Sequence, residues 1–497
     1  MRGPVKPMLV SIVILAVLAG ILVYKPAGSV PTELLLYCAA GMKQPVAAIA
    51  RAYEKEYGVT VAIQYGGSGT LLSNLRITKM GDLYLAADAS YIERARKENA
   101  LDEAVPLARI HPVLAVKRGN PRRIFGVKDL LRPDVKTALG NPDAASIGEQ
   151  TELLLKRSGL WQDVQAAVRD RGVFKPTVND VANDVKLGTV DAGIVWDATA
   201  NQYPELEAVA IQGSDDFEET ITVGVLKSSS RPTAALRFMR YLGARDKGLR
   251  VFAQMGFPPV QGDVWAETPE ITYFSGAVNR LGIQETLSQF ERREGVRILT
   301  VYNGCGILLG QIKLGEKPDV YHTCDVSFMR GVEDGFLPPV SVTETDIVIL
   351  VGKGNPRGIK DLQDLARPGL KLGMANEQQS TLGALTVRLL NEKGLYESVV
   401  RNVVSQTPTA DLLVNQIRTE SLDAVIVYRA NTALVAAKLD IVPIADPAAK
   451  AVQSFAIGKN SDHKYLVRRL FEAISSAQSR ARFSQEGFRW VEKGVQK

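Results

Sequence analysis

Gly66-Gly67-Ser68-Gly69-Thr70 is the stretch of this chain best suited to chemistry, and the chemistry it suits is holding an anion. It stands where an apolar, β-branched run from Val59 to Tyr65 gives way to a helical pattern bearing Leu71, Leu72 and Leu75. The first N–H groups of a helix have no partner within it and carry partial positive charge, so an anion is their natural guest. Glycine lets main chain approach a ligand, and a serine hydroxyl adds a donor. Ala39-Ala40-Gly41, at the end of an earlier strand, and Ser146-Ile147-Gly148, at a later helix start, offer two more such turns. Three of them in one stretch of chain predict a convergent anion site.

Catalytic readings lack partners. Gly67-Ser68-Gly69 is not a nucleophile elbow, because Thr70 stands where G-x-S-x-G needs its last glycine. No G-x-x-x-x-G-K-[ST] or G-x-G-x-x-G loop occurs, so nucleotide binding has no support. Cys305 with His322 as base would make a nucleophile, but nothing orients the pair, and a structural thiol is expected instead. Cys38 lies in an apolar run and reads as core. Trp196 and Tyr428 end apolar strands, and each is either core or a ring whose N–H or O–H reaches a cleft. Asp88 and Asp325 recur just after the third strand and read first as helix caps. With three cysteines, three histidines and no CxxC, HExxH or Cys/His cluster, neither a metal site nor a cofactor is expected. A disulfide framework is excluded, though a single Cys305–Cys324 bridge is not. The chain is expected not to be an enzyme.

The elements that must position these turns alternate. Glu33 to Ala40 reads as a strand, Pro45 to Tyr57 as a helix with Val46, Ile49, Ala50 and Tyr53 on one face, and Val59 to Tyr65 as a strand. Asp82 to Ala86 is a third strand and Tyr91 to Asn99 a third helix. Strand, small-residue turn and helix at this pace give an α/β fold with a parallel sheet, whose ligands bind where strands end. A second α/β block follows, with Val113 to Lys117, Val127 to Arg132, Lys136 to Gly140, a helix from Ile147 to Arg157, and Ala192 to Trp196. Thr220 to Leu226 and Pro232 to Leu242 close the unit. A chain that crosses between two lobes more than once implies a hinge and a cleft.

All of this happens twice. Positions 34 to 262 recur, with drift, at 270 to 494: Tyr37 faces Tyr273, Gly119-Asn120-Pro121-Arg122 faces Gly354-Asn355-Pro356-Arg357, and Ile194-Val195-Trp196 faces Ile426-Val427-Tyr428. So long a period excludes solenoids and propellers, whose repeats run roughly 20 to 50 residues. Each copy is long enough to bury its own core. The expected domains are 33–262 and 270–497, joined near Gly262 to Pro269 and preceded by 1–32.

The chain has 497 residues, 46% of them hydrophobic and 23% charged, as in an ordinary globular protein. Its formal charge of +6 is small and not gathered in Lys/Arg blocks, so nucleic acid is not an expected partner. Arg2 and Lys6 precede an apolar run from Met8 to Tyr24, short for a membrane span and long for a signal core. With no lipobox cysteine and no clean cleavage site before Pro26, the segment is expected to stay as a membrane anchor through residues 8–24, a cleaved signal peptide being the alternative. Both readings put Pro31 onward outside the cytoplasm.

Tyr37-Cys38-Ala39-Ala40-Gly41, Ser68-Gly69-Thr70-Leu71, the run from Gly81 to Asp88, Gly140-Asn141-Pro142 and Gly193-Ile194-Val195-Trp196 resemble the periplasmic molybdate-binding proteins of ABC importers, within the type II solute-binding proteins. The resemblance spans each copy nearly end to end. It implies two tandem domains, each of two α/β lobes around a cleft, holding a tetrahedral oxyanion through N–H groups and hydroxyls without Lys or Arg. Carried over by position, the implied ligand-binding residues are Gly41, Ser68, Ile147, Val181 and Trp196. Gly41 stands where the family has serine, and Trp196 where it has tyrosine. The second copy has Ala277, Cys305, Leu382, Leu413 and Tyr428 at those places. Carboxylate ligands of the kind some archaeal relatives add could come from Glu149 or Asp180. The implied function is extracytoplasmic binding of molybdate, tungstate or a similar oxyanion and its delivery to an ABC permease; the alternative is a membrane-anchored sensor or structural protein that delivers no cargo.

Overall fold

The computed structural model describes residues 33 to 492, so the expected anchor at 8–24 and tether lie outside the described residues. Among the described residues no helix is long and apolar enough to cross a membrane. The chain forms two compact units, one of residues up to Leu242 with Arg250–Val260, the other of Gly243–Leu249 with Gln261 onward.

In the first unit, strands Thr60–Gly66, Glu33–Ala39, Leu83–Ala86, Glu219–Leu226 and Leu101–Ile110 lie side by side in that order. The first three are parallel, and Glu219–Leu226 runs against both its neighbours. A second five-stranded sheet follows the order Val173–Lys175, Thr137–Gly140, Ala192–Trp196, Pro112–Lys117, Leu206–Ala210. The chain passes from the first lobe to the second at His111 and returns between Ala210 and Glu219. Two lobes and two crossings are the expected architecture.

Local patterning accounts for most elements. Helix Lys43–Tyr57 buries Val46, Ile49, Ala50 and Tyr53 as the periodicity predicts, and stops at Gly58, whose φ of 66° suits a residue without Cβ. Helix Ser146–Arg157 begins one residue before its expected start. Within the stretch from Val127 to Arg132 the chain forms a 3-10 turn over Val127–Leu131. Helix Trp161–Arg171 and strands Leu101–Ile110 and Leu206–Ala210 went unread, because their apolar residues are spread among charges.

The second unit repeats the plan with one difference. Its lobes share a single strand, Val340–Gly352, which pairs with Lys450–Ile457 at one end and Ala424–Tyr428 at the other. Where that strand crosses, the N–H of Ile347 donates to the Ala449 carbonyl at 2.8 Å. The first copy has Pro112 in the equivalent place. Proline has no N–H to give, so the ladder is interrupted there and two shorter strands result.

Candidate functional site

The three turns read from the sequence meet between the lobes of the first unit. They line a cavity of about 20 Å³, with walls from Ala39 to Gly41, Gly66 to Ser68, Ala87, Ala145 to Ile147, Thr177, Val178 and Trp196. One water takes roughly 10–15 Å³ on the same measure. As it stands the cavity has room for about one or two waters. No Lys, Arg, Asp or Glu lines it.

Its polarity comes from main chain and hydroxyls. Helices Ser68–Thr78 and Ser146–Arg157 both start at the cavity, from Gly67 and Ala145, and neither is capped by a side chain. Apart from the Thr70 N–H, which donates to the Ala144 carbonyl at 3.2 Å, their earliest N–H groups thus remain available, with the positive end of each helix dipole behind them. The Ser68 hydroxyl accepts from the Ala87 N–H at 3.2 Å, which leaves its own proton to donate. Tyr84 fixes the turn by donating to the Ser68 carbonyl at 2.7 Å. Ser146 contributes a buried hydroxyl with no partner among the described residues. A buried donor left unpaired costs about 1–3 kcal/mol, so this wall favours an acceptor.

The structure brings Gly41, Ser68, Ile147 and Trp196 to this cavity. Val181 it does not. The helix that carries it spans Val178–Leu187, so Val181 lies one turn in, fully buried, with its N–H donated to the Thr177 carbonyl at 3.3 Å. Thr177 and Val178 take its place. Glu149 and Asp180, the carboxylates considered as extra ligands, are turned away. Glu149 pairs with Arg94 of the other lobe, and Asp180 accepts from the Thr177 hydroxyl at 2.6 Å.

The glycines of the second turn have a different reason from the one expected. A Cβ at Gly67 would stand 2.3 Å from the Ala144 carbonyl oxygen, and one at Gly69 would stand 2.8 Å from that of Asp143. What approaches these glycines is the main chain of the opposite lobe. A Cβ at Gly304 would likewise stand 2.2 Å from the Gln379 carbonyl oxygen, and one at Gly306 would stand 2.0 Å from that of Gln378.

Thr199 was not singled out in the sequence. Its buried hydroxyl has no partner among the described residues, and a Cβ at Gly41 would stand 3.3 Å from it. A hydroxyl thus lies beside the position whose own side chain is missing. The signal was its place three residues after Trp196, one helical turn beyond the strand end.

Around the cavity, Gln150 donates to Asp88 at 2.9 Å, adding a second tie between the lobes to Arg94–Glu149. Asp88 caps its helix, accepting from the Ser90 N–H, and Asp325 does the same with Ser327. Glu219 lies against Asp88. Burial first, then the Asp88 charge and a hydrogen bond with it, push its carboxyl up to about 8.

In the second copy Cys305 opens helix Cys305–Lys313 at the place of Ser68, and Tyr428 is buried with an unpartnered hydroxyl. Leu382 and Leu413 are core. His322 is no base for Cys305. Its Nδ1 lies 2.9 Å from the Tyr273 hydroxyl, and burial drives its pKa down to about 3.

Comparison with known proteins agrees with the duplication. The bacterial extracellular solute-binding protein family matches the chain twice, over residues 34–258 and 271–489. A binding protein of Haemophilus influenzae is 29% identical over 230 residues, covering 46% of this chain and 92% of the relative. The molybdate-binding protein ModA of Mycobacterium tuberculosis is 27% identical over 223 residues, 44% of this chain and 84% of its own. Among solved structures, the periplasmic molybdate-binding protein of Azotobacter vinelandii aligns at 19% identity and a TM-score of 0.41, over 46% of this chain and all of that one. Two matches in register with the internal repeat, on two copies of a two-lobed α/β fold, place the chain in the bacterial extracellular solute-binding protein family as a tandem of two type II binding domains.

Proposed function

We propose that the first copy captures molybdate or tungstate outside the cytoplasm and hands it to an ABC permease, with domains at 33–262 and 270–497. The observation that carries this reading is the wall of the cavity: two uncapped helix starts and the hydroxyls of Ser68 and Ser146, with no charged side chain. Such a wall offers donors and no carboxylate, so it suits a small guest that only accepts. A tetrahedral dianion is of that kind, and its charge is balanced by fixed dipoles rather than by Lys or Arg. Gly41, Ser68, Ile147 and Trp196 are its proposed contacts, with Ser146, Thr177 and Val178 added and Val181 withdrawn. The molybdate-binding relatives support the choice of oxyanion. Sulfate presents the same oxygens on a smaller frame, so discrimination rests on cavity size.

Calorimetry with molybdate, tungstate, sulfate and phosphate tests the proposal. Molybdate and tungstate should bind tightly and sulfate weakly. Ser68→Ala should lose about 1.5–3 kcal/mol, the range for a hydrogen bond to a charged group, or roughly tenfold to a hundredfold in affinity. Absence of binding by any of the four anions would overturn it.

A further inference from the structure

The second copy replaces one serine-to-main-chain bond with a pair of thiols. Cys305 occupies the place of Ser68, and Cys324, just after strand Val320–His322, occupies that of Ala87. The two sulfurs lie 2.9 Å apart, and the Cys324 N–H donates to Cys305 Sγ at 3.0 Å, as Ala87 donates to Ser68. A third change accompanies them. Gly276 stands where the first copy has Ala39, each ending its strand before a 3-10 turn, and a Cβ at Gly276 would lie 2.2 Å from Cys324 Sγ and 3.0 Å from Cys305 Sγ. Two thiols and the space they need have arisen at one spot.

The surroundings make the pair unequal. Burial alone would raise the Cys305 thiol. The Cys324 S–H and N–H, with the Thr381 and Tyr321 hydroxyls nearby, outweigh it and bring Cys305 below the ordinary thiol range. Cys324, hydrogen-bonded to that sulfur and buried, is held well above it. A thiol made more acidic beside one that holds its proton is the arrangement for oxidation in two steps. Access comes through the cleft. Cys305 sits between Gly304 and Gly306, which rest on carbonyls of the opposite lobe, so parting of the lobes uncovers its sulfur.

We propose that Cys305 and Cys324 form a redox-active dithiol, which a peroxide converts into an intramolecular disulfide. The Cys305 thiolate attacks one peroxide oxygen; the O–O bond breaks, leaving a sulfenic acid and a hydroxide that takes a proton to become water. The Cys324 sulfur then attacks the sulfenic sulfur; the S–S bond forms, the S–O bond breaks, and the departing hydroxide leaves as water with the Cys324 proton. In sum, two thiols give up two electrons and two protons, and hydrogen peroxide becomes two waters. The sulfurs need close only from 2.9 Å to about 2.0 Å. Cys38, buried and donating its S–H to the Ala39 carbonyl, serves as an internal control.

The test is peptide mapping of the reduced full-length chain after hydrogen peroxide, with unfolding and alkylation to mark remaining thiols. The expected product joins the Cys305 and Cys324 peptides with loss of two hydrogens, while Cys38 is alkylated. Dithiothreitol should reverse it. In Cys324→Ala the sulfenic acid should persist on Cys305 and be trapped by dimedone. Alkylation of Cys305 and Cys324 to the same extent as Cys38 after peroxide overturns the proposal.

Discussion

Gly67→Ala should abolish tight anion binding while leaving the fold intact, because the methyl group would stand between the lobes. Gly67 has φ −68° and ψ 145°, a conformation alanine adopts freely, so its own backbone is not strained. Alanine even narrows the unfolded ensemble, a stabilising effect of about 0.4–1 kcal/mol where the conformation is compatible. The obstacle is the Ala144 carbonyl oxygen, 2.3 Å from the new Cβ, where real contacts essentially never fall under 3.0 Å. The lobes must therefore part by at least 3.0 − 2.3 = 0.7 Å at this point. Parting breaks the bond from the Thr70 N–H to the Ala144 carbonyl, 3.2 Å long, and withdraws Ser146 and Ile147 from the guest. Losing two hydrogen bonds to an anion, at about 1.5–3 kcal/mol each, weakens binding by about 3–6 kcal/mol, roughly a hundredfold to ten-thousandfold. Molybdate calorimetry on the full chain reads the affinity, and urea unfolding without ligand reads the fold. Gly304→Ala, the same change in the second copy, should leave the main binding event untouched. Parental affinity in Gly67→Ala would refute the reasoning, since closure at this contact would then be irrelevant to binding.

The second copy should bind molybdate far more weakly than the first, because it offers the Cys305 sulfur where the first offers the Ser68 hydroxyl; Cys305→Ser should strengthen it. Titration of residues 270–497 checks this, and submicromolar binding by the unaltered segment would contradict it. Glu219 should make the first copy less stable as pH rises. Its folded pKa of about 8 exceeds the unfolded value, so the folded form keeps a proton that the unfolded chain has lost. Stability should fall between about pH 4.5 and 8, by roughly 2 kcal/mol once solvent screening of this part-buried group is allowed for. Glu219→Gln should remove most of that slope. Hydrogen exchange in strand Glu219–Leu226 at pH 5 and 8 would detect it, and equal slopes in parent and variant would exclude the Asp88–Glu219 contact as its source.

The sequence by itself determined the duplication, the α/β alternation and the turns that gather at the cavity. These are local matters: a helix face such as Val46, Ile49, Ala50 and Tyr53 follows from period, and a Gly-Ser turn from what its residues permit. The resemblance to solute-binding proteins rested on the same turns. Tertiary structure decided what distant segments do to one another. Whether Val181 or Val178 reaches the cavity depended on where a helix starts, which capping by Thr177 settled. Gly67 and Gly69 looked like ligand-facing glycines until the carbonyls of the opposite lobe came into view. Thr199 beside Gly41, Glu149 drawn off by Arg94, and Cys324 against Cys305 are likewise contacts between segments far apart or turned by the fold. A donor becomes part of an anion site only when two lobes aim it at one point, and that aim is a property of the closed chain rather than of any stretch within it.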